Sequence, residues 1–208
     1  MNAVYPVLAT VAAYLLGSLS FAVIVTRLMG LNDPRTYGSK NPGATNVLRS
    51  GSKAAAIVTL LLDAVKGWLP VVLVRWFGKP YGMEDGTIAL VGLAAFLGHL
   101  WPVFFRFEGG KGVATALGVL LALHWPLGLI IVGIWVASFA ITRISSLGSI
   151  VGFTAAPFIA YQMVPSYMLG IVGMSLLLLA RHKSNIIALV KGQERRFGRK
   201  KDEPTSGS

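Results

Sequence analysis

Long stretches of this chain carry no charged side chain. Residues 1–26, 86–105, 112–142 and 144–180 contain no Asp, Glu, Lys or Arg. A helix needs about 20 mostly apolar residues to cross the roughly 30 Å hydrocarbon core of a bilayer. The pattern therefore predicts an all-α protein of the polytopic membrane class, a helical bundle whose helices cross the bilayer repeatedly.

Two of the uncharged stretches are too long for one helix. At about 1.5 Å per residue, a continuous helix over 112–142 would reach roughly 46 Å. Turn signals fall inside both stretches, one from His124 to Pro126 and the other from Val164 to Ser166. These breaks predict seven transmembrane helices, with five as the alternative if each long stretch is one tilted span. The seven helices are expected at about residues 4–26, 54–76, 86–106, 112–124, 127–142, 147–164 and 166–181.

The composition agrees with a membrane environment. Of the 208 residues, 54% are hydrophobic and 13% are charged, whereas about 25% are charged in an average soluble domain. Residues 1–26 are not expected to be a removable signal peptide, because no basic segment precedes them. The chain has no Cys and its three His are far apart, so neither a metal nor another cofactor is expected.

The basic residues predict the orientation of the helices. With seven spans and the N-terminus outside, all of the 19 Lys and Arg except Lys66, Arg75 and Lys79 fall in cytosolic loops or in a cytosolic C-terminus, which satisfies the positive-inside rule. The net charge of +11 therefore indicates topology and contact with anionic lipid, and nucleic-acid binding is not expected. Residues 1–197 are predicted to form a single membrane-embedded domain, followed by a basic and polar disordered tail at 198–208.

The longest predicted cytosolic loop, residues 27–53, contains signals for a short helix. Pro42 is suited to the first helical turn, and Gly51 is suited to the position just after the last one. Ser39 or Asn41 is expected near the N-cap. The loop is therefore predicted to present the N-terminus of a helix at the membrane surface.

A polar face on this short helix indicates an anion site. Spacings of three and four residues place Thr45, Asn46 and Arg49 on one face. Together with Ser39 and the free amides of a helix N-terminus, these side chains are typical of a phosphate site. A glycine-rich loop with a basic rim that only obeys the positive-inside rule explains the same residues equally well.

The segment "RFEGGKGVAT" is a second candidate. Gly109, Gly110 and Gly112 would let backbone amides approach a ligand closely, and Lys111 would supply a positive charge. Neither the P-loop nor the dinucleotide fingerprint matches this spacing. An ordinary turn with one cationic residue is the alternative interpretation.

Two further polar clusters lie on the same predicted side of the membrane. Ser146 follows closely after Arg143, and His182 and Asn185 are three residues apart, which would place them on one helical face. Each cluster alone has a structural explanation. Four such clusters on one leaflet of an otherwise apolar protein predict an anion-handling site at the inner surface.

Two charged residues lie deeper in the predicted bundle. Asp63 and Lys66 are three residues apart in one predicted span, and we interpret them as a structural ion pair, with a functional site as the alternative. His99 is interpreted as a structural residue that is hydrogen-bonded inside the bundle.

Four segments closely resemble the bacterial membrane acyl-phosphate:glycerol-3-phosphate acyltransferases, the PlsY family. They are "YGSKNPGATNVLR", "LLLDAVKGWLPV", "GHLWPVFFRFEGGKGVAT" and "RHKSNIIALVKGQE", in the family's order and spacing, and the similarity extends to about Phe197. The resemblance implies a seven-helix bundle in the bacterial cytoplasmic (inner) membrane. It implies an N-terminus outside and an active site that faces the cytosol.

The resemblance also implies a reaction. A fatty acyl group would pass from acyl phosphate to the sn-1 hydroxyl of glycerol 3-phosphate, which gives lysophosphatidic acid and phosphate in the first step of phospholipid synthesis. The implied partners are glycerol 3-phosphate, long-chain acyl phosphate and membrane lipid, with a separate enzyme that supplies the acyl phosphate. No cofactor and no metal are implied.

The family motifs imply which residues form the site. Lys111, His182 and Asn185 are the implied catalytic residues. For the proton of the attacking hydroxyl, the leaving phosphate and His182 are the two candidate acceptors. The implied substrate-binding residues are Ser39, Thr45, Asn46, Arg49, Gly109, Gly110, Gly112 and Ser146.

A membrane transporter or binding protein for small phosphorylated solutes is the alternative function. It would explain the basic clusters equally well, but it predicts polar groups across the bilayer midplane and often an inverted repeat. In this sequence only Asp63 and Lys66 are charged residues deep in a predicted span, and no repeat is recognisable.

Overall fold

The computed structural model describes residues 4–197, and within this range it contains ten α-helices and no strand. The helices are α1 (Val4–Gly17), α2 (Phe21–Leu28), α3 (Ala44–Val47), α4 (Lys53–Phe77), α5 (Asp85–Leu100), α6 (Val113–Leu123), α7 (Trp125–Thr142), α8 (Ser145–Met163), α9 (Met168–Arg181) and α10 (Lys183–Val190). The predicted all-α class is therefore confirmed. The predicted disordered tail, 198–208, lies outside the described residues.

Several of these helices are long and apolar enough to cross a membrane. Within residues 4–197, α4, α7 and α5 with its extension to Phe105 pass by length and composition, and α1 and α2 would form a fourth span as a bent pair. The apolar helices α6 and α9 are shorter. The chain is interrupted at both predicted breaks, at His124 between α6 and α7 and around Pro165 between α8 and α9. The number of seven spans stays a prediction.

The first predicted helix, residues 4–26, is not continuous. α1 and α2 are bent by 44° relative to each other. At the break, the Ser18 hydroxyl donates to the Tyr14 carbonyl at 2.9 Å, a local bond that competes with regular helix geometry. The Leu19 carbonyl accepts a hydrogen bond from Nζ of Lys66 on α4 at 2.7 Å. The prediction of one helix was wrong because a side chain from another helix satisfies the backbone at the break.

The short helix predicted within residues 27–53 is present, but it begins later than predicted. Its N-cap is Gly43, and neither Ser39 nor Asn41 caps it. After the four residues of α3, a 3₁₀ turn at Leu48–Ser50 leads to Gly51, whose φ of 92° ends the helix as predicted. A helix of one turn has few aligned peptide dipoles, so the anion site expected at its N-terminus has little support.

The bundle is built on close contacts between helices. α4 lies along α6, α1 along α5, and α7 along α8. A Cβ on Gly67 would overlap the Thr115 carbonyl, and a Cβ on Gly118 would overlap that of Ala64. Small residues thus allow α4 and α6 to pack closely, as in many membrane helix pairs. The largest fully buried apolar side chains are Phe96, Phe153, Leu100, Leu120, Leu123, Leu127, Ile131, Ile171, Met174 and Leu178.

The outside of the bundle is also apolar. Ile141 on α7, Phe158 on α8 and Leu169 on α9 are 83%, 74% and 87% exposed. Exposed apolar area on this scale is unusual for a soluble monomer. These exposed apolar side chains suit contact with lipid along the sides of the bundle.

Candidate active site

The segment from Gly109 to Gly112, which we call the glycine loop, is held against the end of α5. The N–H of Gly110 donates to the carbonyl of His99 at 3.2 Å. A Cβ on Gly110 would overlap Nε2 of His99, and Gly112 has φ +84°, so both positions favour glycine. Lys111 lies between these two constrained residues.

Arg181, at the end of α9, holds the glycine loop from another side. Its Nη2 donates to the carbonyl of Gly109 at 2.8 Å and to that of Gly110 at 3.1 Å, and its Nε donates to Gly110 at 3.2 Å. Because C=O and N–H point in opposite directions across a trans peptide, this clamp turns the N–H of Lys111 away from Arg181. Sequence reasoning missed Arg181, since a bond to a backbone carbonyl leaves no residue pattern.

Four side chains form a hydrogen-bonded series, which we call the polar chain. Nζ of Lys111 donates to Oδ1 of Asn185 on α10. Nδ2 of Asn185 donates to Oε1 of Glu194 at 2.6 Å, and the Ser146 hydroxyl on α8 donates to the same oxygen at 2.6 Å. The structure therefore brings together three predicted site residues from distant segments. Glu194, which was not among the predicted site residues, is the acceptor that joins two of them.

Positive charge is concentrated around the glycine loop. Burial lowers the pKa of Lys111 below its ordinary value, an effect that Glu194 opposes and that Arg49 and Arg181 reinforce. Burial lowers the pKa of Arg49 as well, and the charge of Arg195 adds to this shift. Several cations thus lie near the carboxylate of Glu194. Such a region attracts an anion, because each cation is stabilised when negative charge arrives.

His182 lies at the junction of α9 and α10 and is 2% exposed. Its Nδ1 lies 2.8 Å from the Leu178 carbonyl; a carbonyl only accepts, so Nδ1 carries the proton and Nε2 is the acceptor of the neutral ring. Burial lowers the pKa of His182 to about 4, a shift that the bond to Leu178 opposes and the charge of Lys111 reinforces. The imidazole is therefore uncharged at neutral pH and is a weak base.

Asn46 organises the loop that precedes α4. Its Oδ1 accepts from the N–H of Ser39 at 3.0 Å and from Nη1 of Arg49 at 3.2 Å, and its Nδ2 donates to the carbonyls of Pro34 at 2.6 Å and Tyr37 at 3.2 Å. These four bonds use the full capacity of a side-chain amide. In this structure Asn46 holds Ser39 and Arg49 in position.

Other predicted binding residues lie apart from the polar chain. Asn46 and Arg49 share a face of the short helical segment, as predicted, and are hydrogen-bonded to each other. Thr45 on α3 is exposed. Within residues 4–197, neither the Thr45 hydroxyl nor the Ser39 hydroxyl is hydrogen-bonded to the polar chain. Their assignment as substrate-binding residues stays a prediction.

A surface pocket of about 400 Å³ opens beside Lys111. Three cations and two apolar residues contribute to its lining, a combination suited to a molecule with an anionic head and an apolar chain. The lining residues are Asn41, Lys111, Ala180, Arg181, Lys183, Ser184 and Ile187. Of the predicted site residues only Lys111 lines this pocket.

Comparison with known sequences gives a consistent family. The model of the family described as "Glycerol-3-phosphate acyltransferase" matches residues 7–192. A glycerol-3-phosphate acyltransferase of Albidiferax ferrireducens is 60% identical over an alignment of 210 positions that covers 96% of this chain and 92% of the relative. The corresponding protein of Neisseria gonorrhoeae is 53% identical over 195 residues, which cover 93% and 98%.

Two solved structures have the same fold. They are crystal structures of PlsY (YgiH), described as an integral membrane glycerol 3-phosphate acyltransferase, and they cover 93% of this chain and 96% of their own. The lysophosphatidic acid form is 35% identical with a TM-score of 0.85, and the glycerol 3-phosphate form is 36% identical with a TM-score of 0.86. The chain therefore belongs to the glycerol-3-phosphate acyltransferase family, with the fold of the integral membrane protein PlsY.

Proposed function

We propose that the protein transfers a fatty acyl group from acyl phosphate to the sn-1 hydroxyl of glycerol 3-phosphate and releases lysophosphatidic acid and inorganic phosphate. The observation that carries this proposal is the gathering of Lys111, Arg49 and Arg181 around the glycine loop, at one end of an apolar bundle. Both proposed substrates carry phosphate, and the donor also carries a long acyl chain. A separate enzyme that makes acyl phosphate is the proposed source of the donor.

The proposed chemistry needs little help from a protein base. Acyl phosphate is a mixed anhydride and is already activated, so holding the acceptor hydroxyl near its carbonyl supplies much of the acceleration. The hydroxyl oxygen forms a bond to the acyl carbon, the bond from that carbon to the phosphate oxygen breaks, and the leaving phosphate takes the proton. Lys111 and Arg49 are proposed to stabilise the charges of the two phosphates and of the developing oxyanion.

The remaining members of the polar chain are proposed to bind phosphate oxygens. Ser146 and Asn185 both donate to one carboxylate oxygen of Glu194 at 2.6 Å. Two donors that converge on one anionic oxygen have the geometry that a phosphate oxygen also requires. An incoming phosphate would therefore share these donors with Glu194 or displace it.

We expect His182→Gln to lower the turnover by about tenfold or less, because it removes a neutral hydrogen bond of about 1 kcal/mol. Loss of a general base would cost about 10²–10⁴-fold. Since burial lowers the pKa of His182 to about 4, the ratio of wild-type to variant rates should stay constant between about pH 5.5 and pH 8. Steady-state rates at saturating substrate, measured for both proteins across this range, test the expectation. A loss of about 10²-fold or more would instead identify His182 as the base.

The experiment that tests the reaction uses purified protein with a long-chain acyl phosphate and glycerol 3-phosphate. We expect release of inorganic phosphate and formation of lysophosphatidic acid, detected by mass spectrometry, only when both substrates are present. Equal phosphate release without glycerol 3-phosphate would indicate a hydrolase. Uptake of glycerol 3-phosphate into proteoliposomes without chemical conversion would indicate the transporter alternative.

We propose that the polar chain faces the cytosol of a bacterium, with seven spans in the inner membrane and the N-terminus outside. Lys111 and Ser146 both belong to the polar chain, so α6 and α7 between them must leave one end of the bundle and return to it. Two crossings of the membrane satisfy this condition, whereas the single crossing of the five-span alternative does not.

A cysteine at Ser146 is expected to react with an impermeant maleimide only from the cytosolic side. The chain has no Cys of its own, so Ser146→Cys can be labelled without background in right-side-out and inside-out vesicles. Lys79→Cys, in the exposed loop between α4 and α5, is the matched control and should show the opposite sidedness. Labelling of Ser146→Cys from outside would contradict the seven-span arrangement.

A further inference from the structure

A buried charged network lies directly beneath the glycine loop. Asp63 and Lys66 on α4 are 3% and 2% exposed, and Nζ of Lys66 lies 2.7 Å from Oδ1 of Asp63. Nδ1 of His99, on α5, lies 3.6 Å from the same oxygen and 3.2 Å from the hydroxyl of Thr115 on α6. Three helices thus contribute polar groups to one buried cluster.

Stability alone does not account for these charges. The predicted ion pair between Asp63 and Lys66 is present as a contact, and both side chains are almost completely buried. Removing two charges from water costs several kcal/mol per ion, and replacing a buried ion pair by apolar residues is often neutral or stabilising. Ionisable groups inside a membrane bundle are, for this reason, functional candidates.

His99 connects this network to the glycine loop. Its carbonyl accepts the N–H of Gly110 at 3.2 Å, and its ring nitrogen Nε2 fills the space that a Cβ of Gly110 would occupy. Arg181 holds the carbonyls of Gly109 and Gly110 from another side. The loop is therefore packed between an imidazole and a guanidinium, and Lys111 is the next residue along the chain.

The other end of the network reaches the break between α1 and α2. Nζ of Lys66, besides its contact with Asp63, donates to the Leu19 carbonyl at 2.7 Å. The same ammonium lies 5.6 Å from the centroid of the Phe21 ring. The Asp63–Lys66 pair on α4 is thus also held by the backbone and the Phe21 ring at the break between α1 and α2.

We infer that His99 is a positioning residue for the proposed reaction. The Thr115 hydroxyl is hydrogen-bonded to the imidazole and the Asp63 carboxylate lies beside it. The ring packs against Gly110, which directly precedes Lys111. This inference rests on the proposed function, because it assigns the glycine loop to the substrate phosphates. A displacement of a catalytic group by about 1 Å can cost about 10²-fold in rate, so a network distant from the reacting atoms can still control turnover.

Two substitutions at His99 and one at Asp63 test the inference. His99→Leu removes both ring nitrogens, and His99→Asn keeps an amide near the place of Nδ1. We expect His99→Leu to lower kcat by about 10- to 100-fold and to raise the dissociation constant of glycerol 3-phosphate several-fold. His99→Asn should recover part of both losses, and Asp63→Asn should change both quantities in the same direction as His99→Leu.

Thr59→Val is the matched control. Thr59 lies on α4 one turn before Asp63, is 0% exposed, and has no hydrogen-bond partner for its hydroxyl within residues 4–197. The substitution changes a buried polar residue on the same helix whose hydroxyl is not hydrogen-bonded to His99. It should leave kcat and the dissociation constant as in the wild type.

Binding of glycerol 3-phosphate, measured by calorimetry without any donor, separates this inference from the proposed reaction. If His99 acts through Lys111, His99→Leu should weaken binding much less in a Lys111→Ala background than in the wild-type background. The reason is that the side chain through which His99 acts is already absent, so the two effects are not additive. Full additivity overturns the inference. So does a His99→Leu or Asp63→Asn protein that has a lower melting temperature but a wild-type dissociation constant and KM.

The outcomes for the wild type are also decisive. If it binds glycerol 3-phosphate but does not turn over acyl phosphate, the proposed reaction is wrong, and the binding series still tests His99. If it does not bind glycerol 3-phosphate, both proposals are wrong. Should His99→Leu fail to fold, His99→Asn and Asp63→Asn give the same comparison.

Discussion

Replacing Lys111 with alanine is expected to lower kcat/KM for acyl transfer by about 10²–10³-fold. The ammonium group is partly buried and lies near the Glu194 carboxylate and the cations Arg49 and Arg181. In such a site each cation stabilises the charge that develops on a phosphate or an oxyanion far more than it would in water. Steady-state rates with acyl phosphate and glycerol 3-phosphate measure the loss.

A fold control makes this result specific. Lys111 donates to Oδ1 of Asn185, so its removal leaves one partly buried acceptor unpaired, which costs about 1–3 kcal/mol. The melting temperature should therefore fall by about 2–12 °C, and the protein should still fold. Lys191→Ala, an exposed lysine at the end of α10, should leave both the rate and the melting temperature unchanged. Normal turnover by a folded Lys111→Ala protein would overturn the assignment of the site.

Acyl-CoA is expected to give at least about 10²-fold lower turnover than acyl phosphate with the same acyl chain. In the proposed chemistry the leaving phosphate takes the proton, and loss of a proton acceptor costs about 10²–10⁴-fold. His182 is a poor substitute, because its pKa is lowered to about 4. The stretch "GSKNPGAT" is a near miss for a P-loop, with Ala44 at the lysine position, so a nucleotide group has no obvious site.

Parallel assays with the two donors measure this preference. Both donors should carry the same acyl chain and be presented in the same detergent, and lysophosphatidic acid formation should be followed, since it is the product common to both. Free CoA added to the acyl-phosphate reaction, and inorganic phosphate added to the acyl-CoA reaction, control for inhibition by either leaving group. Comparable rates with the two donors would contradict the proposed donor and would indicate a conventional acyltransferase.

Local signals in the sequence were sufficient for much of the fold. The breaks at His124 and Pro165 were predictable because these residues mark turns through their own backbone preferences and those of their neighbours. Gly51 ends its helix because a left-handed conformation suits glycine. The break between α1 and α2 was not predictable, because it depends on a hydrogen bond from Lys66 to Leu19, two residues that are far apart in the chain.

Hydrophobic length and motif order are local properties of a chain, so the helical membrane class, the family and the segments that carry polar chemistry could all be predicted before the fold was known. Which of those polar groups meet depends on the packing of distant segments. Lys111, Asn185 and Ser146 converge through Glu194, and the amide of Asn46 is engaged with its own loop. Arg181 and His99 hold the glycine loop through backbone carbonyls and close packing. Contacts of this kind depend on how helices pack, and any residue can provide a carbonyl, so the sequence contains no signal for them.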